Sequence, residues 1–315
     1  MQRRGSAITF VWLLSAAGLI LTGLGPRTPA HVSPTTPPRW VGARLDAGRI
    51  EVSVANTGAT PRAIVTEAAA NRSRHSLTIT DVAFDVKREV VYLGTCCEPG
   101  AGQLRRVDLR ASPPALVSDD QGFAVDVAGG TSTIARTDTF GTLAVRPSPT
   151  SQQEVRAGAG ASDVAVDGTA GGRVIALIQS TRLRALIPTV SPHAPGILVL
   201  QLNAGRWADT RYPLAANATY CAVVPLTNGS IGLLAGQIDS ANPLDCAGDR
   251  LDIYDSAKKE LRRGAVKFPG KVRHLSVDDS STFLIFTTVD GAVRWQTLAG
   301  DAGNLAPRGF LAADW

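Results

Sequence analysis

The chain has 315 residues, a formal net charge of +5 and an aromatic content of only 5%. Arg3, Arg4 and Arg27 precede the first acidic residue, so the positive charge resides largely in the N-terminal part of the chain. The densest later group of cations, residues 258–263, includes Glu260, and we interpret it as a solvated outer strand or turn. This composition argues against a nucleic-acid-binding protein.

Residues 1–25 begin with charged MQRR and continue as an apolar run from Ala7 to Leu24. A positive start followed by such a run predicts export. The run suits either a cleaved signal peptide or an uncleaved signal-anchor helix, and both alternatives stay open. Residues 26–39 are rich in Pro and Thr and predict an extended tether. We therefore expect residues 40–315 to fold as a domain that is secreted or membrane-anchored facing outward.

A short strand-turn-strand phrase recurs along this domain. The interval from Asp85 to Asp126 and that from Asp126 to Asp167 are each 41 residues, and the next two intervals, through Pro225 to Asp278, are longer. A repeat of about 40 residues, with many Gly, Val and Thr, is typical of a four-stranded propeller blade. The copies are DVAFDVKREVVYL (81–93), GFAVDVAGGTSTIA (122–135), DVAVDGTAGGRVIAL (163–177), CAVVPLTNGSIGLL (221–234) and HLSVDDSSTFLIF (274–286).

The two ends of the domain supply one further copy between them. Residues 310–315 match only the first strand of the phrase, whereas Trp40–Leu45, Arg49–Asn56 and Arg62–Glu67 offer three more strands. We predict an all-β fold, a six-bladed β-propeller whose closing blade is shared between N- and C-terminal strands, preceded by the N-terminal signal or anchor helix. Such closure removes the free sheet edge between the first and last blades.

Most of these first strands end in an aspartate. Asp carboxylates commonly accept hydrogen bonds from backbone amides of a following turn, so we expect the five aspartates to cap turns. A functional ring of acids is the alternative. The residues are Asp85, Asp126, Asp167, Asp278 and Asp314.

The phrase VAVDGTAGGRVIAL resembles the inner-strand motif of NHL-repeat, YVTN and TolB-like extracytoplasmic propellers. That resemblance implies a binding or scaffold module for a protein, peptide or glycan in the cell envelope, and we expect a monomer. The sequence contains no G-x-S-x-G, H-E-x-x-H or P-loop motif, which favours a protein that is not an enzyme. The alternative is a metal-dependent hydrolase similar to the lactonase propellers, with its site at the channel mouth.

The four cysteines of an exported domain should be oxidised. Cys221 opens a first strand and Cys246 lies in a long insertion of the same blade, so we predict that they pair. Cys96 and Cys97 are adjacent, and a vicinal disulfide is the simplest pairing for them. Two free thiols or an intermolecular bridge are the alternatives.

Loops that enter the first strands and loops that join second to third strands share one face of a propeller. Among the residues on that face, Asp81, Asp163 and His274 occupy equivalent positions and could approach a common divalent cation, although separate solvated strand starts are the simpler interpretation. We otherwise predict no cofactor. The candidate binding residues are His75, Asp81, Glu98, Asp119, Asp120, Asp163, His193, Tyr220, Arg273 and His274.

Overall fold

The computed structural model describes most of the chain beyond residue 35. The described residues are 36–68, 78–98, 101–128, 133–138, 140–148, 151, 153–158, 160–168, 172–180, 183–184, 190–203, 206–239 and 245–315, without the side chains of residues 67, 68, 97, 98, 101, 120 and 121. The predicted signal or anchor segment lies outside them. Within these ranges, no helix has the length and hydropathy required to cross a membrane.

The first sheet joins the two ends of the domain. The short strand β23 pairs antiparallel with β1, placing Asp314 opposite Val41, and the sheet continues through β2 to β3. The N-terminal strands agree with the predicted ones to within a residue. They are β1 (Arg39–Asp46), β2 (Arg49–Asn56), β3 (Arg62–Ala68) and β23 (Ala312–Asp314).

Three four-stranded antiparallel sheets follow in chain order. The second sheet contains β4 (Thr78–Asp85), β5 (Val90–Glu98), β6 (Ala101–Asp108) and β7 (Leu116–Gln121). The third contains β8 (Ala124–Val127), β9 (Ile134–Thr137), β10 (Leu143–Arg146) and β11 (Val155–Ala157). The fourth contains β12 (Ala161–Asp167), β13 (Arg173–Ile178), β14 (Gly196–Asn203) and β15 (Arg206–Pro213).

The remaining seven strands form one large sheet because a single long strand, β19, belongs to two groups. Its first part pairs with β18 and its last part, from Val272 to Val277, pairs with β20. A 3₁₀ turn at Thr227–Gly229 separates β16 from β17. The strands are β16 (Tyr220–Pro225), β17 (Ile231–Ile238), β18 (Cys246–Asp255), β19 (Glu260–Val277), β20 (Phe283–Thr288), β21 (Val293–Thr297) and β22 (Ala302–Ala306).

The first strands of successive groups lie side by side. Contacts run from β4 to β8, β12, β16, β19 and β23, and then from β23 back to β4. Apolar clusters fill the spaces between neighbouring sheets, with Val41 and Val82 in one cluster and Val164 and Leu143 in another. Because each fully buried large apolar side chain contributes about 1.5–3 kcal/mol, these intersheet clusters are the main stabilising contacts of the fold.

The cluster between β20–β22 and the first sheet contains several large aromatic side chains. Trp40, Phe283 and Trp315 are buried there, and the Trp315 indole donates a hydrogen bond of 2.9 Å to the carbonyl of Phe283. Gly42 makes room for Phe310, because a Cβ at that position would lie 2.7 Å from its ring. The two ends of the domain are therefore held by packing as well as by strand pairing.

Candidate functional site

The structure separates the predicted binding residues into distinct places. His75 lies outside the described residues, and for Glu98 and Asp120 only the strand positions are described. Asp119 forms an ion pair of 3.2 Å with Arg106. His193 lines a separate cavity of about 190 Å³ beside Tyr212. The binding face expected from the sequence stays a prediction.

Three of the predicted residues do converge, on the first strands. Asp81, Asp163 and His274 line a common small cavity, and His274 Nε2 lies 2.6 Å from Asp81 Oδ1. Asp81 and His274 are both more than nine-tenths buried. Together with three neighbours they form what we call the central cluster, whose members are Asp81, Asp126, Asp163, His274, Ser276 and Asp314.

The aspartates of the central cluster connect neighbouring sheets. In the described structure, the edges of β4, β8, β12 and β16 that face the cluster have no strand partner, so their backbone amides need other acceptors. A carboxylate of the preceding sheet supplies one to each of these four strands, and charge-assisted bonds of this kind are the stronger ones. The bonds run from Phe84 N to Asp314 (2.7 Å), Val125 N to Asp81 (2.9 Å), Val166 N to Asp126 (2.7 Å) and Val223 N to Asp163 (2.7 Å).

These bonds correct the turn-capping interpretation for two aspartates. Asp85 and Asp278 do accept hydrogen bonds from turn amides, at 2.9 Å from Arg88 N and 2.8 Å from Thr282 N. Asp126 and Asp314 instead bridge to the next sheet. For Asp126 the difference arises because β8 continues past it to Val127. The Asp126 side chain therefore projects from the side of the strand, and not from the strand end beside the turn.

Crowding of these groups shifts their proton affinities. Burial lowers the pKa of His274, but the hydrogen bond and charge of Asp81, with the charges of Asp163 and Asp314, outweigh it and raise the pKa above its ordinary value. Burial raises the pKa of Asp314 to about 7, against the hydrogen bonds of Ser276 and of backbone amides. Burial and the charge of Asp314 also raise the pKa of Asp126, whose surface is partly open to the cavity. The cluster therefore holds a proton near neutral pH.

The central cluster has no arrangement typical of a metal site. Across the described part of the chain, no group of three or more His, Cys, Asp or Glu side chains is placed to hold a metal ion. Asp81 and His274 contact each other directly, and Asp81 also accepts bonds from Val82 N and Val125 N. The divalent cation at Asp81, Asp163 and His274 stays a prediction.

A larger concave region lies on the large sheet, where strands β16 to β19 begin or bulge. This groove has a volume of about 620 Å³. Its strands are irregular here, because the register of β18 with β19 shifts on both sides of Arg250 and Leu251. The side chains that matter for its chemistry are Tyr220, Gln237, Asp249, Arg250, Asp252, Arg263 and Lys271.

Asp252 organises the floor of the groove. This buried carboxylate accepts hydrogen bonds from the Tyr220 hydroxyl (3.2 Å), Arg250 Nε (3.3 Å) and the amide of Gly264 in the β19 bulge (2.7 Å). Burial, followed by the charge of Asp252, raises the pKa of Tyr220 to about 12, so its hydroxyl stays protonated and can donate. The negative charge of Asp252 is thus satisfied within the protein.

The disulfide Cys221–Cys246 fixes the same region, joining β16 to β18 as the sequence predicts. Its sulfur packs on Gly236, where a Cβ would lie 2.5 Å from Cys221 Sγ. Cys96 is also disulfide-bonded, but the side chain of Cys97 lies outside the described residues, so their vicinal pairing stays a prediction.

Sequence reasoning identified Tyr220 but missed the groove around it. Asp252 in RLDIYD gave a usable signal, because an acid at a buried strand position requires polar partners. Arg263 and Lys271 gave no such signal, because exposed cations are common on an outer strand. In the central cluster, Ser276 stands where most other copies have alanine, which was a second signal.

Comparison with known proteins supports the fold. The solved structure of TolB from Acinetobacter baumannii is similar, with a TM-score of 0.56 at 12% sequence identity, covering 87% of this chain and 66% of the TolB chain. At that identity the likeness shows a propeller-like all-β fold, and it does not single out the NHL-repeat or YVTN families. No protein-family model and no curated protein matches the chain.

Proposed function

We propose that this chain is an exported six-bladed β-propeller that serves as a binding or scaffold module for a protein or peptide of the cell envelope. The blade count is supported by the contacts of the first strands, which run through six strands and return to β4. Export is supported by the apolar N-terminal run and by the Cys221–Cys246 disulfide, which requires an oxidising compartment. The chain covers 66% of the TolB chain, so the proposal rests on the features of this chain rather than on TolB.

The groove is the single observation that carries the binding function. Its volume of about 620 Å³ falls within the range of ligand-binding clefts, roughly 300–1,000 Å³. Its floor is held by the Asp252 hydrogen bonds and by the disulfide, so the surface is formed before a partner arrives. A preformed polar groove loses less conformational entropy on binding.

A capture experiment with a groove variant tests this function. The purified full-length chain, its Arg263→Glu/Lys271→Glu double variant and a Lys87→Glu control would each be immobilised and exposed to envelope extract. All three altered side chains are exposed, and Lys87 lies on the β4–β5 turn away from the groove. We expect a defined set of proteins to be retained by the wild-type chain and by the control, and lost from the double variant.

Two results would contradict the proposal. Retention of the same proteins by the double variant would place binding elsewhere on the molecule. Retention of no protein by the wild-type chain would remove the binding function. Unfolding temperatures of the three proteins show whether any loss reflects misfolding, because surface substitutions of this kind usually change stability by less than about 0.5 kcal/mol.

A further inference from the structure

Strand β19 carries an excess of positive charge beside the groove. Between Glu260 and Val277 it contains a single acid, Glu260 itself, and several Lys and Arg residues. Four of these cations are exposed and have no ion-pair partner among the described residues, in contrast to Arg273, which pairs with Asp245. The four are Arg262, Arg263, Lys267 and Lys271.

The acids of the groove do not balance this charge. Asp252 is already satisfied by Tyr220, Arg250 and a backbone amide. Asp249 is the one other acid among the described residues that line the groove, where Arg263 and Lys271 also lie. Like charges on one strand repel over distances up to a Debye length of about 8 Å. A negatively charged ligand would relieve that repulsion.

We propose that the groove binds an acidic peptide segment, whose carboxylates contact Arg263 and Lys271. This proposal rests on the binding function proposed above and names the chemistry of the partner. The guanidinium of Arg263 suits a bidentate carboxylate contact, and the ammonium of Lys271 supplies a second positive charge. Exposed backbone and amide groups such as the side chain of Gln237 can pair with the peptide main chain.

The surroundings of the groove favour a peptide over a membrane or a nucleic acid. The exposed large apolar residues of the described chain are Val86, Val117, Phe140, Val289 and Leu298, and none of them lines the groove, so an apolar anchor for a membrane is missing beside these cations. Tyr220 and Tyr254 are buried, which leaves them unable to stack on bases.

Fluorescence anisotropy with a designed probe tests the proposal. The probe is a labelled peptide of alternating Glu and Gly residues, compared with the same peptide in which every Glu is replaced by Gln. We expect the full-length chain to bind the Glu peptide about tenfold more tightly, which corresponds to one carboxylate contact of moderate strength. Added salt should reduce the difference, because the contacts are partly exposed.

Variants assign the binding to the groove. Arg263→Gln/Lys271→Gln should abolish the preference for the Glu peptide, while Lys87→Gln should preserve it. Equal affinity for the Glu and Gln peptides, or an unchanged preference in the double variant, would overturn the proposal. Tighter binding of a labelled oligonucleotide or of anionic vesicles than of the Glu peptide would overturn it too.

Failure of the acidic-peptide proposal can be distinguished from failure of the proposed binding function. If envelope proteins are captured through the groove but the Glu peptide does not bind, the groove is a binding site for another chemistry, and the acidic-segment proposal alone fails. If capture and peptide binding are both absent, the binding function itself fails.

Discussion

His274 shows how one buried side chain links pH to stability. Its Nε2 contacts Asp81 at 2.6 Å, and its Nδ1 is buried without a hydrogen-bond partner among the described residues. The raised pKa means that the folded protein favours the imidazolium form. The resulting stabilisation is complete below the unfolded pKa of about 6.5 and is lost as the pH rises through the higher folded value.

We predict that His274→Gln destabilises the protein by about 3 kcal/mol near pH 6, because removing one partner leaves the Asp81 charge buried and uncompensated. The loss should be smaller at pH 9, because the wild-type imidazolium loses its proton as the pH rises through the raised folded pKa of His274. Urea unfolding at both pH values measures it. His193→Gln, in a cavity away from the acids, is the matched control. A loss for His274→Gln that is the same at both pH values would contradict the prediction.

The folding stability should show a second pH dependence, at lower pH, that is set by Asp314. Its pKa is raised from 3.8 to about 7 in the folded protein. The folded state therefore binds this proton more tightly, and the stability contribution present below about pH 4 is lost as the pH rises through about 7.

We predict that Asp314→Asn removes this loss of folding stability with rising pH. The amide oxygen can still accept from Phe84 N, while no charge forms in the cluster. Relative to the wild-type chain, the variant should gain stability between about pH 5 and pH 8, on the order of a few kcal/mol from the size of the shift. Asp278→Asn, which removes turn hydrogen bonds outside the cluster, is the control for the loss of a carboxylate. Parallel wild-type and Asp314→Asn stability curves over this range would count against the raised pKa.

At the level of elements, the disulfide should control both stability and the shape of the groove. It joins β16 to β18 across a sequence separation of 25 residues. We predict that Cys221→Ala/Cys246→Ala lowers the free energy of unfolding by roughly 3 kcal/mol, because the unfolded chain is no longer constrained by a loop of that length. Thermal unfolding measures the loss. Targeted variants are needed because Cys96 is also disulfide-bonded and a reductant would affect both sites.

Binding provides the second measurement on the same variant. Since the cysteines belong to strands that line the groove, the double variant should also bind the acidic probe more weakly at a temperature where it remains folded. Full affinity together with lower stability would show that the disulfide acts only on the unfolded chain.

The strands were largely predictable because their signals are local. The pairing of β1 with β2 follows from two apolar alternating segments around the turn at Ala47 and Gly48, which both have positive φ. Residues 310–315 could be assigned to a first strand because they repeat the motif of the other copies. The sharing of β19 between two strand groups was not predictable, since nothing local marks where an outer strand continues into the next first strand.

The sites were less predictable because they depend on contacts between sheets. Asp126 and Asp278 occupy equivalent positions in the repeat, yet one bridges to Val166 and the other caps its own turn. β8 continues past Asp126, whereas β19 ends at Val277, before Asp278, and the repeat motif alone does not mark where each strand ends. Asp252 and Gly264 meet only because β19 bulges, and that register shift is likewise a property of the folded sheet.

At the level of the whole molecule, the contacts that close the domain involve few residues. Strand β23 pairs with β1 over three residues, from Ala312 to Asp314. Around it, Phe310 and Trp315 are buried between the first sheet and β20, and Asp314 bonds to Phe84 of the second sheet. These seven C-terminal residues, 309–315, therefore contact the second sheet on one side and β20 on the other. Their loss would expose the edge of β1 and the aromatic cluster together.

We predict that deleting residues 309–315 abolishes cooperative thermal unfolding, because the two ends of the domain then separate and the apolar cluster opens to water. Trp315→Ala, which removes the indole and its bond to Phe283, should keep cooperative unfolding but cost about 3–5 kcal/mol. Leu298→Ala, at a partly exposed position, is the control and should cost far less. Calorimetry distinguishes the three proteins. A deletion variant that unfolds in one sharp transition near the wild-type temperature would show that the domain closes without β23, and the shared closing sheet would then be incidental to its stability.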